Sequence, residues 1–212
     1  MSIEDLRREY QAQPLLEGEV DPDPIIQFRT WFSQALELDL KDANAMTLAT
    51  ATPDGKPSAR IVLIKGVDER GFTFFTNYGS RKAEELAANP NASLVFYWRE
   101  LDRQVRIDGV VSRVSQAESA SYFASRPRGA QIGAWASEQS SIIPDRNALE
   151  SEATAYEQQF DGKDVPLPAN WGGYRLEPHW FEFWHGRASR LHDRLTYTRQ
   201  ASGEWALQRL AP

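Results

Sequence analysis

The stretch AMTLATATPDGKPSARIVLIK, residues 45–65, decides how the chain is read. Its two apolar, β-branched runs, AMTLATAT (45–52) and SARIVLIK (58–65), flank the turn PDGK, and such a pair reads as a β-hairpin. The rhythm before it is different. Residues 24–38, PIIQFRTWFSQALEL, place Ile25, Phe28, Phe32, Ala35 and Leu36 on one helical face, with Asp23 as cap and Pro24 in the first turn. Beyond the hairpin, strand patterns continue through FTFFT (72–76), SLVFYW (93–98) and RQVRIDGVVSRV (103–114). Ser80 caps a short helix through Leu86 that Asn89-Pro90 closes. The capping box SQAE (115–118) opens a helix carrying Tyr122 and Phe123 that ends before Pro127, and a further helix spans about 145–160. After the turn PLP (166–168), GGYRLEP, WFEFWHG, LHDRLTYTR and EWALQRL read as four antiparallel strands. Many strands with few parallel crossovers give a mainly β fold, a β-barrel with peripheral helices.

Composition narrows the function. A chain of 212 residues, 41% hydrophobic and 11% aromatic, is long enough for a sizeable core, and one domain is expected. Cysteine is absent, which excludes disulfides, thiolate catalysis and iron–sulfur clusters and accords with a reducing compartment. The N-terminus, MSIEDLRREYQAQ, lacks the apolar core of a secretory signal and no later stretch approaches a membrane span, so a cytoplasmic protein is expected. A net charge of -6 argues against nucleic acid or an anionic membrane as partner. No GxGxxG follows a strand, and P-loop, HExxH, nucleophile-elbow and kinase signatures are missing. The three histidines, His179, His185 and His192, lack metal-ligand spacing.

What remains is cationic. Acidic residues crowd expected helix surfaces, as at Glu84, Glu85, Glu150, Glu152 and Glu157, while Arg60, Lys65, Arg103, Arg106, Arg190 and Arg194 lie in or beside strand-like runs. A strand cation is costly to pack without an anion, so the pattern points to bound anions. In RLHDR (190–194), strand geometry would project Arg190, His192 and Arg194 together, with Trp184 upstream as a flat surface. A solvated edge strand would explain the same five residues. In RIVLIK (60–65), Arg60, Val62 and Ile64 share one face and Ile61, Leu63 and Lys65 the other, so the two cations leave opposite sides, either toward two anions or by snorkelling. SRK (80–82) opens a helix, where free N–H groups favour an anion, and the arginines of SRPR (125–128) either bind an anion or satisfy helix-terminal carbonyls.

With these motifs in order, the sequence resembles the pyridoxamine 5'-phosphate oxidase family nearly end to end, from LRREY at residue 6 to RLAP at 209. RIVLIK, FTNYGSRK (75–82), RQVRIDG (103–109), SRPR, QIGAWASEQSS (131–141), PLPANWGGYRL (166–176), EFWHG (182–186) and RLHDR carry the resemblance. It implies an FMN-binding split barrel over residues 21–212, a lid segment over 1–20, and a homodimer with FMN at the subunit interface. By that resemblance Arg60, Arg81 and Lys82 hold the FMN phosphate, with Thr76, Gln139 and Ser140 nearby. The rest of the run, Ile61, Val62, Leu63, Ile64 and Lys65, joins Phe75 in the cofactor wall, and Gln104, Trp184 and Arg194 contact the flavin. Lys65, Tyr122 and Arg126 clamp the substrate's 5'-phosphate. Arg190 and His192 lie against the substrate ring, where they orient it for catalysis, and Arg7 and Tyr10 belong to the lid. The implied reaction oxidises pyridoxamine or pyridoxine 5'-phosphate to pyridoxal 5'-phosphate, with molecular oxygen as acceptor and hydrogen peroxide as by-product. Ala130 departs from the family pattern, which has serine in RGAQIG, and weakens the implied clamp. A split-barrel oxidoreductase with another substrate, a single-stranded nucleic-acid module and a non-catalytic B6-phosphate binder are the rival readings.

Overall fold

The computed structural model describes residues 2–5, 8–10 and 12–212. The hairpin is present as β1 (Ala45–Ala51) and β2 (Pro57–Leu63), paired antiparallel from Ala45↔Leu63 to Ala51↔Pro57. The chain continues through β3 (Gly66–Asp68), β4 (Gly71–Asn77), β5 (Asn91–Trp98) and β6 (Arg103–Arg113), and closes with β7 (Trp171–His185), β8 (Asp193–Arg199) and β9 (Trp205–Arg209). One antiparallel sheet runs in the order β2-β1-β5-β6-β7-β4-β3, with β8 on β7 and β9 on β8.

The C-terminal region corrects the expectation of four strands. GGYRLEP and WFEFWHG form one strand, β7, which pairs with β6 from Tyr174 to His185 and slips register beside Gly109. That slip absorbs Pro178, whose missing N–H would otherwise break a ladder. Only glycine fits opposite it, because a Cβ on Gly109 would lie 2.3 Å from the Glu177 carbonyl oxygen. The bend lets the first half of β7 pair with β4 and the second half with β8, which splits the barrel.

Helix α1 (Pro24–Glu37) plugs the barrel, capped by the Asp23 carboxylate, which accepts from the Ile25 N–H at 2.8 Å. Its buried stripe is Ile25, Phe28, Trp31 and Ala35, whereas Leu36, expected there, is exposed because the 3–4 spacing carries the stripe to one side of it. Phe28 packs edge-on against Phe72 and Phe96, both at 4.9 Å between centroids, amid Phe74, Phe181, Phe183 and Tyr197, all fully buried. Each such side chain contributes about 1.5–3 kcal/mol by leaving water.

Four helices cover the outside: α2 (Arg81–Ala88), α3 (Gln116–Ser125), α4 (Arg128–Ala136) and α5 (Arg146–Gln159). Ser115 and Glu118 make the expected capping box on α3. Ser80 precedes α2 but does not cap it; its hydroxyl donates back to the Asn77 carbonyl at 2.7 Å. Helix α4 is absent from the sequence reading. Arg128 at its start donates to the carbonyls of Phe160 and Lys163, so the terminal-carbonyl reading of SRPR holds for this arginine, at the end of α5. No helix among the described residues is long and apolar enough to cross a membrane.

Candidate active site

A cleft of about 770 Å³ lies between β2, β4, α2 and the α3–α4 corner. Of the residues singled out in the sequence it brings together Arg60, Ile61, Val62, Leu63, Lys65, Phe75, Thr76, Lys82, Tyr122, Arg126 and Gln139. Alternation on β2, an edge strand, turns Ile61 and Leu63 outward and leaves them exposed although apolar. Ile64 lies beyond the strand end and is buried in the core, so it supports the wall from behind.

Cations gather at one end. Lys82 Nζ donates to Gln139 Oε1 at 2.9 Å and to Thr76 Oγ1 at 3.2 Å, and no described carboxylate pairs with it. Burial, then the charge of Arg60, pushes its pKa down, while Glu85 opposes that shift. The guanidinium of Arg60 donates to the Leu48 carbonyl, Thr50, Ser58 and Glu85, which commits four of its N–H groups within the protein. Arg81 lies outside the cleft lining; its Nε donates to Glu85 at 2.8 Å, and its backbone N–H donates to Ser140 Oγ. Ser140 sits at φ 78°, the left-handed region.

Glu85 corrects the sequence reading, which put it on a helix surface: it is only 6% exposed. Burial pushes its carboxyl up, but hydrogen bonds from Ser58, Thr50, Arg81 and Arg60 outweigh that and hold it at about 2. The signal for the Arg81 pair was its i,i+4 spacing. Nothing in the sequence announced Thr50 and Ser58.

The other end is flat and cationic. Tyr122 stacks on Phe75 at 4.0 Å, and Phe75 lies within 10° of parallel to Trp171 at 5.6 Å. Arg126 lies over Trp171 at 4.7 Å, and its buried Nη1 has no hydrogen-bond partner among the described residues. A buried guanidinium nitrogen without an acceptor is costly and suits an incoming anion. Lys65 and Ala130 line the same region, and Ala130 brings no hydroxyl to it.

The remaining expected residues form a second patch on the sheet, outside this cleft. Gln104, Trp184 and Arg194 share one row across β6, β7 and β8. Arg194 holds Glu182 through two hydrogen bonds, Nε–Oε1 at 3.2 Å and Nη2–Oε2 at 2.8 Å, and the pair raises the arginine's pKa. Arg106 approaches the same carboxylate at 3.6 Å, while Arg103 sits over Trp31 and donates to Gln34. Three of the flagged strand cations, Arg60, Arg106 and Arg194, therefore meet protein carboxylates, where the sequence pattern points to bound anions.

Arg190 and His192 are not on a strand, which corrects the one-face reading of RLHDR. Pairing of β7 with β8 ends at His185↔Asp193, so residues 186–192 form the connection, with Arg190 in a 3-10 turn at φ 60°. His192 Nδ1 accepts from the Arg187 N–H at 3.0 Å, which leaves Nε2 as the protonated nitrogen of the neutral ring. Burial and Arg190 lower its pKa, which favours that neutral form. Tyr10 packs edge-on against Trp184 at 5.5 Å and His192 at 5.2 Å. Gly186 makes room for it, since a Cβ there would lie 2.4 Å from the tyrosine ring. Asp193 ties this loop to the N-terminal segment: it accepts from the Leu15 N–H at 3.0 Å and from Arg209 at 2.6 Å. Arg7 lies outside the described residues.

The chain is thus an antiparallel split barrel in which one cleft carries a flat aromatic stack and cations at both ends. Residues 32–160 match the family model described as pyridoxamine 5'-phosphate oxidase, and residues 171–212 match that of the pyridoxine 5'-phosphate oxidase C-terminal dimerisation region. The chain belongs to the pyridoxamine 5'-phosphate oxidase family. It is 59% identical over 212 residues to the pyridoxine/pyridoxamine 5'-phosphate oxidase of Cyanothece sp. (strain PCC 7425 / ATCC 29141), covering 100% of this chain and 99% of that one. It is 58% identical over 211 residues to pyridoxine/pyridoxamine 5'-phosphate oxidase 1 of Ralstonia nicotianae, with the same coverage. Among solved structures, PhzG from Burkholderia lata 383, in complex with tetrahydrophenazine-1-carboxylic acid, superposes with a TM-score of 0.89 at 33% identity, covering 95% of this chain and 100% of that one. A pyridoxamine 5'-phosphate oxidase-related, FMN-binding protein from Nostoc punctiforme shares the fold, with a TM-score of 0.71 at 21% identity over 87% of this chain and 97% of that one.

Proposed function

We propose that the chain oxidises pyridoxamine or pyridoxine 5'-phosphate to pyridoxal 5'-phosphate with FMN as cofactor and oxygen as acceptor. Water and oxygen convert the amine to aldehyde, ammonia and hydrogen peroxide; the alcohol needs oxygen alone. The observation that carries the reading is one cleft with Lys82 at one end and at the other Arg126, whose buried Nη1 has no partner among the described residues, a charge layout that fits two phosphate esters on flat rings. Bound FMN supplies the two-electron acceptor that no side chain here provides.

The chain's own residues bind and orient. Lys82, Arg60 and Arg81, with Thr76, Gln139 and Ser140, take the FMN phosphate, and Ile61, Leu63 and Phe75 give the ring system an apolar wall. Arg126, Lys65 and Tyr122 hold the substrate phosphate, with Arg126 fixed on Trp171. Gln104, Trp184, Arg190, His192 and Arg194 come from a second copy in a homodimer, whose patch faces the cleft. His192 holds a proton at Nε2, set by the Arg187 hydrogen bond at Nδ1, and donates it to a polar group of the substrate ring. Arg190 sits beside it to fix the ring, so positioning carries much of the rate. Residues 1–20 act as a lid on the domain 21–212, with Tyr10 over Trp184 and His192.

The test is anaerobic mixing of the FMN-loaded protein with pyridoxamine 5'-phosphate. Flavin bleaching, followed on admission of oxygen by equimolar peroxide and pyridoxal 5'-phosphate, is expected. Bleaching without aldehyde would assign the cleft to another substrate.

A further inference from the structure

Glu85 is the anion at the cationic end of the cleft. Its carboxylate accepts from Thr50 Oγ1 at 2.5 Å, Ser58 Oγ at 2.5 Å, Arg60 Nη2 at 3.0 Å and Arg81 Nε at 2.8 Å. Thr50 and Ser58 each also accept from Arg60, at 2.6 and 2.5 Å. The two hydroxyls are therefore relays, each taking an arginine proton on one side and giving its own to Oε2 on the other. Such a closed network fixes the arginine more firmly than an ion pair alone, since every donor direction is determined. An amide at position 85 would keep one accepting oxygen, put an N–H donor in place of the other and leave both guanidiniums without their counter-charge.

From this network we infer that Glu85 is a positioning residue for phosphate recognition. It holds the guanidinium of Arg60 at the cleft wall and that of Arg81 outside the lining as fixed charges, so that a ligand bearing a phosphate gains from them and the same ligand without phosphate does not. The inference rests on assigning this end of the cleft to the FMN phosphate. Glu85 does not cancel the site. Among the described residues Lys82 Nζ meets only the neutral oxygens of Thr76, Ser80 and Gln139. Three cations against one carboxylate leave two positive charges, which match a phosphate dianion. A preorganised guanidinium loses little freedom when the anion arrives, which is the gain a mobile surface arginine lacks. If Glu85 served only to pin α2 against β1 and β2, its loss would affect any flavin alike.

The test is titration of the full chain, freed of flavin, with FMN and separately with riboflavin, for wild type and Glu85→Gln. Wild type is expected to bind FMN far more tightly than riboflavin. Glu85→Gln should weaken FMN at least about tenfold, the scale of a lost charged hydrogen bond, while riboflavin stays within about twofold. The pair Thr50→Val with Ser58→Ala, which removes the relays and keeps the charge, should shift FMN in the same direction and serves if Glu85→Gln does not fold. Equal loss for both ligands, or undiminished FMN affinity, would overturn the role of Glu85. A wild type that does not distinguish FMN from riboflavin would overturn the placement of the phosphate itself, and the inference with it.

Discussion

Replacing Arg126 with alanine should separate binding from folding. Its buried Nη1 has no acceptor among the described residues, so removal relieves an unsatisfied donor and loses mainly the stack over Trp171 at 4.7 Å. A partly desolvated cation–π contact is worth about 0.5–2 kcal/mol, and the relieved donor offsets part of it. Stability should therefore change by no more than about 1 kcal/mol, measured by denaturant unfolding. Substrate binding is different, because each hydrogen bond from a guanidinium to phosphate is worth about 1.5–3 kcal/mol. One lost bond raises KM for pyridoxine 5'-phosphate by about 10- to 100-fold, with kcat nearly unchanged, since this contact is made equally in ground and transition states. Steady-state peroxide assays across substrate concentration read both constants. An unchanged KM, or a large fall in kcat alone, would refute the clamp.

Ala130→Ser should restore a donor to the same region and lower KM severalfold, on the order of 0.5–1.5 kcal/mol, in the same assay. Gly186→Val should drive Tyr10 off Trp184, because the added Cβ would fall 2.4 Å from its ring; faster proteolysis of the N-terminal segment with the barrel intact is the expected readout. Gly109→Ala should destabilise the fold by several kcal/mol, since a backbone carbonyl 2.3 Å away cannot yield as a side chain can; thermal unfolding measures it. His185 is buried, and burial with Arg103 nearby lowers its pKa from 6.5 to about 4. The unfolded chain thus binds the extra proton first, so stability falls as pH drops from about 6.5 toward 4, by at most about 1.4 kcal/mol per unit. His185→Gln should flatten that window, while losses below about 4.5 from Glu85 and Glu118, whose carboxyls are held at about 2, persist in denaturation curves.

The fold was legible where local chemistry and tertiary context agree. The 45–65 hairpin, α1 with its Asp23 cap and the Ser115 capping box need only nearby residues to be recognised. The merged β7 was not, because Pro178 looks like a strand end until its partner's bulge at Gly109 is known. Helix α4 was missed since RGAQIGAWA carries two glycines and a weak apolar stripe, with only Ile132 buried. In the site, Lys82, Lys65 and Arg126 were recoverable as cations near helix ends and strands. RLHDR was misread because alternation was applied to residues whose pairing stops at Asp193. Apart from the i,i+4 spacing of Arg81 and Glu85, the partners of Glu85 and Glu182 were invisible, since Thr50, Ser58, Arg60 and Arg194 reach them only through the folded sheet.

The most direct test of the account is complementation in trans, because it asks whether the cleft of one chain and the Arg190–His192 patch of another enclose one site. Arg126→Ala and Arg190→Ala chains, each impaired alone at low substrate, are co-expressed and assayed as a mixture. Random pairing puts half the dimers in mixed form, each with one site whose cleft and patch are both intact, so activity should recover to about a quarter of wild type. Activity no higher than that of the separate variants would show that each site is built within a single chain and would contradict the account.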